Sequence, residues 1–163
     1  MLYWCEYGSP VEPIRIYCDD RAIKGLWIQG QTHFAATVTG ETSESPDHPL
    51  LLRTKDWLDR YFSGQKPEVN ELPLAPEGSP FRQRVWEILR TIPYGGSMTY
   101  GDIAKQLDPA MSAQAVGGAV GHNPISIIIP CHRVLGAAGA LTGYDGGLEK
   151  KRWLLDHENI PYK

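Results

Sequence analysis

The sequence predicts a small α/β unit followed by a mostly helical unit of helix-turn-helix type. Three observations carry this. Short alternating β-rich segments lie in the first third of the chain. A proline-rich seam runs from Lys66-Pro67 to Ser79-Pro80. Beyond it lie several capped, amphipathic segments. At 163 residues the chain suits one domain or two small ones, and 42% hydrophobic with 21% charged residues is a globular composition.

In the first unit, Ile14-Arg15-Ile16-Tyr17-Cys18 and Gly25-Leu26-Trp27-Ile28 alternate or cluster β-formers and predict short strands. His48-Pro49 opens an amphipathic helix whose apolar positions are Leu51, Trp57, Leu58, Tyr61 and Phe62, with Gly64 just past its end. Residues 1–66 therefore form the expected N-terminal α/β domain. Residues 67–80, with prolines 67, 73, 76 and 80, read as an extended linker, because proline lacks a backbone donor and biases its predecessor away from helix.

Residues 81–163 form the second expected domain. Ser79-Pro80 starts its first helix, with Phe81, Val85, Ile88, Leu89 and Ile92 as the predicted buried stripe, and Pro93 with Gly95-Gly96 ends it. Thr99-Tyr100-Gly101-Asp102 is a capping pattern that opens a helix stopped by Asp108-Pro109. Ser112 caps a further helix to about Val120, and the two predict a helix-turn-helix. On this last helix Ala113, Val116 and Val120 share the expected core face, whereas Gln114, Gly118 and Gly121 share another. Gly117-Gly118 costs roughly 1 kcal/mol per glycine relative to alanine. Tight packing against a neighbouring helix, or close approach of a foreign surface, would each account for the pair.

Charge is uneven. Residues 1–78 hold 7 basic and 12 acidic side chains, whereas residues 79–163 hold 9 and 7, so only the second half is basic. The longest apolar run, Ile125 to Ile129, is too short to cross a bilayer, and no membrane association is expected. The N-terminal residues Met1 to Glu6 carry no basic stretch before an apolar core, so no secretory signal is expected. Cysteines 5, 18 and 131 form no CxxC pair, which suits a reduced, cytoplasmic protein. No GxGxxG and no P-loop occurs, and no cofactor is expected.

The candidate chemistry lies at Pro130-Cys131-His132-Arg133, which follows the Ile-rich run, read as a buried strand. A thiol reacts as its thiolate and needs a base or a positive field nearby. His132 is adjacent, and His157 and Glu158 lie near the C-terminus, so a Cys–His–carboxylate relay is available. Residue types alone leave Cys131 open between a reactive thiol and a buried, inert one.

Pro130-Cys131-His132-Arg133, completed by Val134, resembles the acceptor motif of the O6-alkylguanine-DNA alkyltransferases. Ala115-Val116-Gly117-Gly118-Ala119, Asn123-Pro124, Gly143-Tyr144-Asp145-Gly146-Gly147 and Trp153-Leu154-Leu155-Asp156-His157-Glu158 follow that family's order and spacing. The resemblance covers nearly all of residues 79–163, whereas residues 1–66 match in length and general pattern only. It implies a ribonuclease-H-like first domain and a winged-helix-like second one. The implied activity is a single-turnover, irreversible transfer of a methyl or larger alkyl group from O6-alkylguanine in double-stranded DNA, after nucleotide flipping, by a monomer. O4-alkylthymine is the second candidate lesion.

By the same resemblance, Cys131 is the alkyl acceptor, His132 acts through a water as the base, and Glu158 orients His132. Asn123 buttresses the cysteine turn, and Tyr100 hydrogen-bonds the leaving guanine. Gln114, Ala115, Gly117, Gly118, Tyr100 and Arg133 are the implied DNA contacts, and Pro130, Tyr144, Asp145 and Gly146 the implied pocket wall. Two positions depart from the common pattern. Gln114 stands where an arginine is usual, which implies weaker DNA binding or flipping, and Asp145 stands where many relatives carry serine. Some relatives hold zinc through cysteines and histidines. Cys5 and Cys18 resemble two such ligands, but no histidine has the matching spacing, and no metal is expected. His33, His48 and His122 read as surface or loop residues. A protein that binds and flags the lesion without transfer, and a cysteine hydrolase, are the competing readings.

Overall fold

The computed structural model describes residues 1–145 and 147–163; Gly146, expected in the pocket wall, lies outside the described residues. Two compact units are present. The first comprises Met1–Glu77 with Pro124–Ser126, and the second comprises Gly78–Asn123 with Ile127–Lys163.

The first unit is built on β1 (Leu2–Tyr7), β2 (Ile14–Cys18), β3 (Ile23–Ile28) and β4 (Thr42–Glu44), in the order β3-β2-β1-β4. All pairs are antiparallel except β1 with β4. Alternation along β2 sends Ile14, Ile16 and Cys18 to one face, where they are fully buried. Helix α1 (Pro49–Phe62) packs on β1 and β2 and buries Leu51, Trp57, Leu58 and Tyr61. Phe62, expected in that stripe, is half-buried.

The outer edge of β3 would offer unpaired backbone groups, and two short segments cover it. Leu74 bridges to Ile23, and Ile125 bridges to Leu26, with Leu26 N–H donating to Pro124 O at 2.8 Å. The proline-rich stretch expected as a linker is thus largely part of this unit. It carries a 3-10 turn at Val69–Glu71 and receives the Trp57 indole N–H on Glu68 O at 2.8 Å. Missing amide donors at the prolines do not prevent single bridges that use only the carbonyls and the remaining N–H groups.

His48 is no loose surface histidine. Its Nδ1 accepts from Leu50 N–H at 3.2 Å, capping α1, and its Nε2 faces Asp20 at 3.2 Å. Cys18 Sγ lies 3.6 Å from the same Nδ1. Burial pushes the Cys18 thiol up to about 12, and among the described residues no group of three or more His, Cys, Asp or Glu side chains could hold a metal ion.

In the second unit, Ser79 Oγ caps α2 (Pro80–Leu89) by accepting from Arg82 N–H. The buried residues of this segment are Val85, Trp86, Leu89 and Ile92, while Phe81 and Ile88 are half-buried. Trp86 turns inward because its indole N–H donates to Ala119 O at 2.9 Å, which ties α2 to the helix carrying that carbonyl. β5 (Met98–Thr99) leads into α3 (Tyr100–Leu107), where the capping box between Thr99 and Asp102 closes at 3.0 Å in both directions. α4 (Ala113–Gly121) follows after a short connection, and α2, α3 and α4 pack on one another. β6 (Val134–Leu135) runs parallel to β5, and α5 (Leu148–His157) closes the unit. None of the described helices is long and apolar enough to cross a membrane.

The Ile-rich run is not a strand. Ile125 makes one bridge, residues 126–128 form a turn, and Ile127 sits at φ 70° while fully buried. A β-branched residue at positive φ is strained and persists only where packing over-determines it. Pro124 and Pro130 bracket the run, so neither end can extend a ladder.

Candidate active site

The turn that replaces the expected strand positions the cysteine. Cys131–Arg133 is a 3-10 turn, with Arg133 N–H donating to Pro130 O at 3.0 Å. Asn123 is buried, and its Nδ2 donates to Ile129 O at 2.8 Å, pinning the segment that delivers Cys131. Cys131 and His132 thus share a tight turn rather than opposite faces of a strand. Both are buried, Cys131 at 5% exposure and His132 at 0%.

Glu158, just past the end of α5, organises the cluster. Its Oε2 accepts from His132 Nε2 at 2.6 Å, and its Oε1 accepts from Arg133 Nε at 2.7 Å and from Gly95 N–H at 3.1 Å. Burial pushes this carboxyl up, but the His132 hydrogen bond and the Arg133 guanidinium outweigh it and hold Glu158 well below the usual carboxylate range. Burial drives the His132 imidazole down, more than Glu158 can restore, and in the neutral ring Nε2 is the nitrogen that donates to the carboxylate. Nδ1 is then an acceptor, and it is buried without a hydrogen-bond partner among the described residues.

Arg133, expected among the DNA contacts, sits in the same buried cluster. Arg133 is 8% exposed, donates to Glu158 and through Nη1 to Ile92 O at 2.7 Å, and lies over the Tyr94 ring. A guanidinium held this way braces Glu158.

Burial pushes the Cys131 thiol up. Hydrogen bonding from Asn123, the charge of Lys151 and hydrogen bonding from Tyr144 oppose that rise, while Asp145 adds to it. Lys151 was not singled out in the sequence, yet it is fully buried. Its Nζ donates to Val134 O at 2.6 Å, Thr142 O at 3.1 Å and Gly143 O at 3.3 Å. A periodic reading of α5 could have found it, because Lys151, Leu154, Leu155 and Glu158 fall at i, i+3, i+4 and i+7 on one face.

A cavity of about 500 Å³ opens among the starts of α3 and α4 and the loop after β6. Tyr100, Gln114, Gly117, Ala137, Thr142 and Gly143 line it, and Cys131 is not part of its wall. The Tyr100 hydroxyl donates to Gly143 O at 3.4 Å, and its ring lies 5.8 Å from Lys151 Nζ. Gln114, Ala115 and Gly118 are exposed and Gly117 half-buried; Ala113, expected in the core, is exposed and Ala119 is buried instead. A methyl group added at Gly118 or Gly121 would meet nothing within 4 Å, and one at Gly117 would only touch Tyr100. Tight helix packing therefore does not account for Gly118. Pro130 is buried, and Tyr144 and Asp145 are half-buried.

Residues 2–76 match the family described as 6-O-methylguanine DNA methyltransferase, ribonuclease-like domain, and residues 80–160 match the DNA binding domain of the same family. Among curated proteins, the methylated-DNA–protein-cysteine methyltransferase of Haemophilus influenzae is 41% identical over 99% of this chain and 88% of its own. The protein of that name from Shigella flexneri is 52% identical over 93% of this chain and 92% of its own. The crystal structure of Mycobacterium tuberculosis OGT in complex with DNA superposes with a TM-score of 0.87 at 39% identity, over 98% of this chain and 95% of that one. With the Cys131 turn, the Glu158 cluster and the capped helix pair in place, the chain belongs to the 6-O-methylguanine DNA methyltransferase family.

Proposed function

We propose that the protein repairs DNA by moving a methyl or larger alkyl group from O6-alkylguanine in a duplex to Cys131, once per molecule. The observation that carries the reading is the buried pair His132–Glu158 beside the cysteine turn, with Nδ1 of the ring left as an acceptor. A buried ring nitrogen without a protein partner is the kind of group an ordered water satisfies. That water relays the Cys131 proton to Nδ1, and Glu158 stabilises the imidazolium that results.

The thiolate then attacks the sp3 carbon of the lesion. The S–C bond forms as the C–O6 bond breaks, the electron pair stays on the guanine oxygen, and the base regains a proton with help from the Tyr100 hydroxyl. The product thioether has no low-energy route back to the thiol, which limits each molecule to one turnover. A thiol at 5% exposure cannot meet an atom stacked inside a duplex, so the nucleotide must leave the stack, at a cost of a few kcal/mol. The smooth face of α4 with Gly117 and Gly118 suits close approach to a sugar–phosphate backbone, and Gln114 at its start is the group available to fill the gap.

Incubation with duplex DNA carrying O6-methylguanine, followed by peptide mass mapping, tests this reading. A one-methyl increase on the Cys131 peptide, absent in Cys131→Ala, is expected. Binding without a mass change would instead favour a protein that only flags the lesion, and repeated turnover of an ester or amide would favour a hydrolase.

A further inference from the structure

Gly136, Ala137, Thr142 and Gly143 of the cavity wall lie on the loop that leaves β6, whose regular structure is a single 3-10 turn at Ala137–Gly139. The loop holds a costly conformation. Ala138 sits at φ 59°, in the left-handed region that a residue with a Cβ adopts only where its surroundings impose it. Inside the loop, Gly136 N–H donates to Ala140 O at 2.8 Å. Two further main-chain bonds come from residues that follow α5. Lys163 N–H donates to Gly139 O at 2.9 Å, and Leu141 N–H donates to Lys163 O at 3.0 Å. Leu141 and Tyr162 pack on the buried cluster of Leu135, Leu155 and Ile160, and the Tyr162 hydroxyl donates to Asp156 Oδ1 at 3.0 Å.

The end of α5 sends the chain to this loop. Asn159 sits at φ 59°, its N–H donates to Asp156 O at 3.1 Å, and Ile160 N–H donates to Leu155 O at 2.9 Å. These are the paired bonds of a left-handed helix cap, a position that asparagine tolerates, and Ile160 and Leu155 share the apolar cluster as such a cap requires. Glu158 is the residue before the reversal. One turn therefore presents the relay's carboxylate and directs residues 160–163 back along the wall. We propose that residues 160–163 are a clasp, and that Lys163, through its main chain, is a positioning residue that fixes the Gly136–Gly143 wall against which the extruded base rests. The clasp governs how firmly the lesion is held, and leaves the reactivity of the thiol alone. Its role toward the base rests on the alkyl-transfer reading; the clasp itself does not.

The test compares Lys163→Pro with Lys163→Ala. Both lose the exposed lysine side chain, but only proline removes the N–H that donates to Gly139 O. In a Cys131→Ser background, where no transfer occurs, Kd is measured for duplex DNA with and without O6-methylguanine. Lys163→Pro should lower the preference for the lesion by about three- to ten-fold relative to Lys163→Ala. With Cys131 present, its carboxamidomethylation by iodoacetamide should run at the same rate in both variants. Amide hydrogen exchange at Gly136 and Leu141 should be faster in Lys163→Pro alone. Equal lesion preference in the two variants overturns the role toward the base. A matching fall in the iodoacetamide rate overturns the separation from the thiol, and unchanged amide exchange overturns the clasp. If the parent protein shows no preference for the lesion, the alkyl-transfer reading and the role toward the base both fall, and amide exchange still decides the clasp.

Discussion

Replacing Glu158 by glutamine should cost about 3 kcal/mol of stability at pH 7, at the lower end of the range for breaking a buried ion pair. The carboxylate accepts from His132 at 2.6 Å, from Arg133 at 2.7 Å and from Gly95 at 3.1 Å, and it is 3% exposed. The amide oxygen can keep Arg133 and Gly95, but its NH2 then faces the His132 Nε2 proton, donor against donor. Arg133, at 8% exposure, also loses its counter-charge. For a chain of this size such a loss lowers Tm by roughly 6–12 °C. Because the folded protein holds the Glu158 carboxyl below the usual carboxylate range, its contribution is fully present above the unfolded value of about 4.3. It is lost as pH falls through the folded value. The gap between wild type and Glu158→Gln, measured by urea denaturation, should therefore be constant from pH 7 to about 5 and narrow below about 4. A gap under about 1 kcal/mol at pH 7, or one that widens in acid, refutes the reasoning.

Gln114→Arg should tighten binding to duplex DNA, steepen its salt dependence by about one phosphate contact and speed transfer; unchanged affinity and rate would show that this position does not fill the flipped-out gap. Gly118→Ala should stabilise the free protein by about 0.5–1 kcal/mol, since its methyl meets nothing within 4 Å, while weakening DNA binding. Equal DNA affinity in a gel-shift titration would show that this face of α4 stays clear of DNA. Asn123→Ala removes the 2.8 Å bond to Ile129 O, and should cost about 1–2 kcal/mol in chemical denaturation and move the Cys131 thiol midpoint to higher pH.

Four helix starts were the most legible part of the sequence, because each is written in a cap: His48, Ser79, Thr99 and Ser112 all accept from the expected first-turn amide, whereas α5 begins at Gly147 with no side-chain cap and was not read. The Ile-rich run misled because a buried turn and a buried strand have the same composition, and periodicity cannot separate them when every residue faces inward. Ile127 at φ 70° is a conformation that local preference argues against and tertiary packing imposes. β1 and β4 were not read at all, since their hydrogen bonds join segments far apart in sequence. At the site, Cys131, His132 and Glu158 were named from motif order, but the sharing of Glu158 between His132 and Arg133 is a fact of three dimensions. The burial of Arg133 and Lys151 was not legible, because a charged residue reads as surface until a specific buried partner is visible.

The central claim, one irreversible alkyl transfer to Cys131 per molecule, is tested most directly by stoichiometry. A fixed amount of protein is titrated with duplex DNA bearing radiolabelled O6-methylguanine, and protein-bound label is counted at completion. The account predicts a plateau at one methyl per molecule, all of it on the Cys131 peptide, with no further repair when fresh lesion is added. Label that accumulates beyond one equivalent, repair that continues catalytically, or transfer that persists in Cys131→Ala would contradict it.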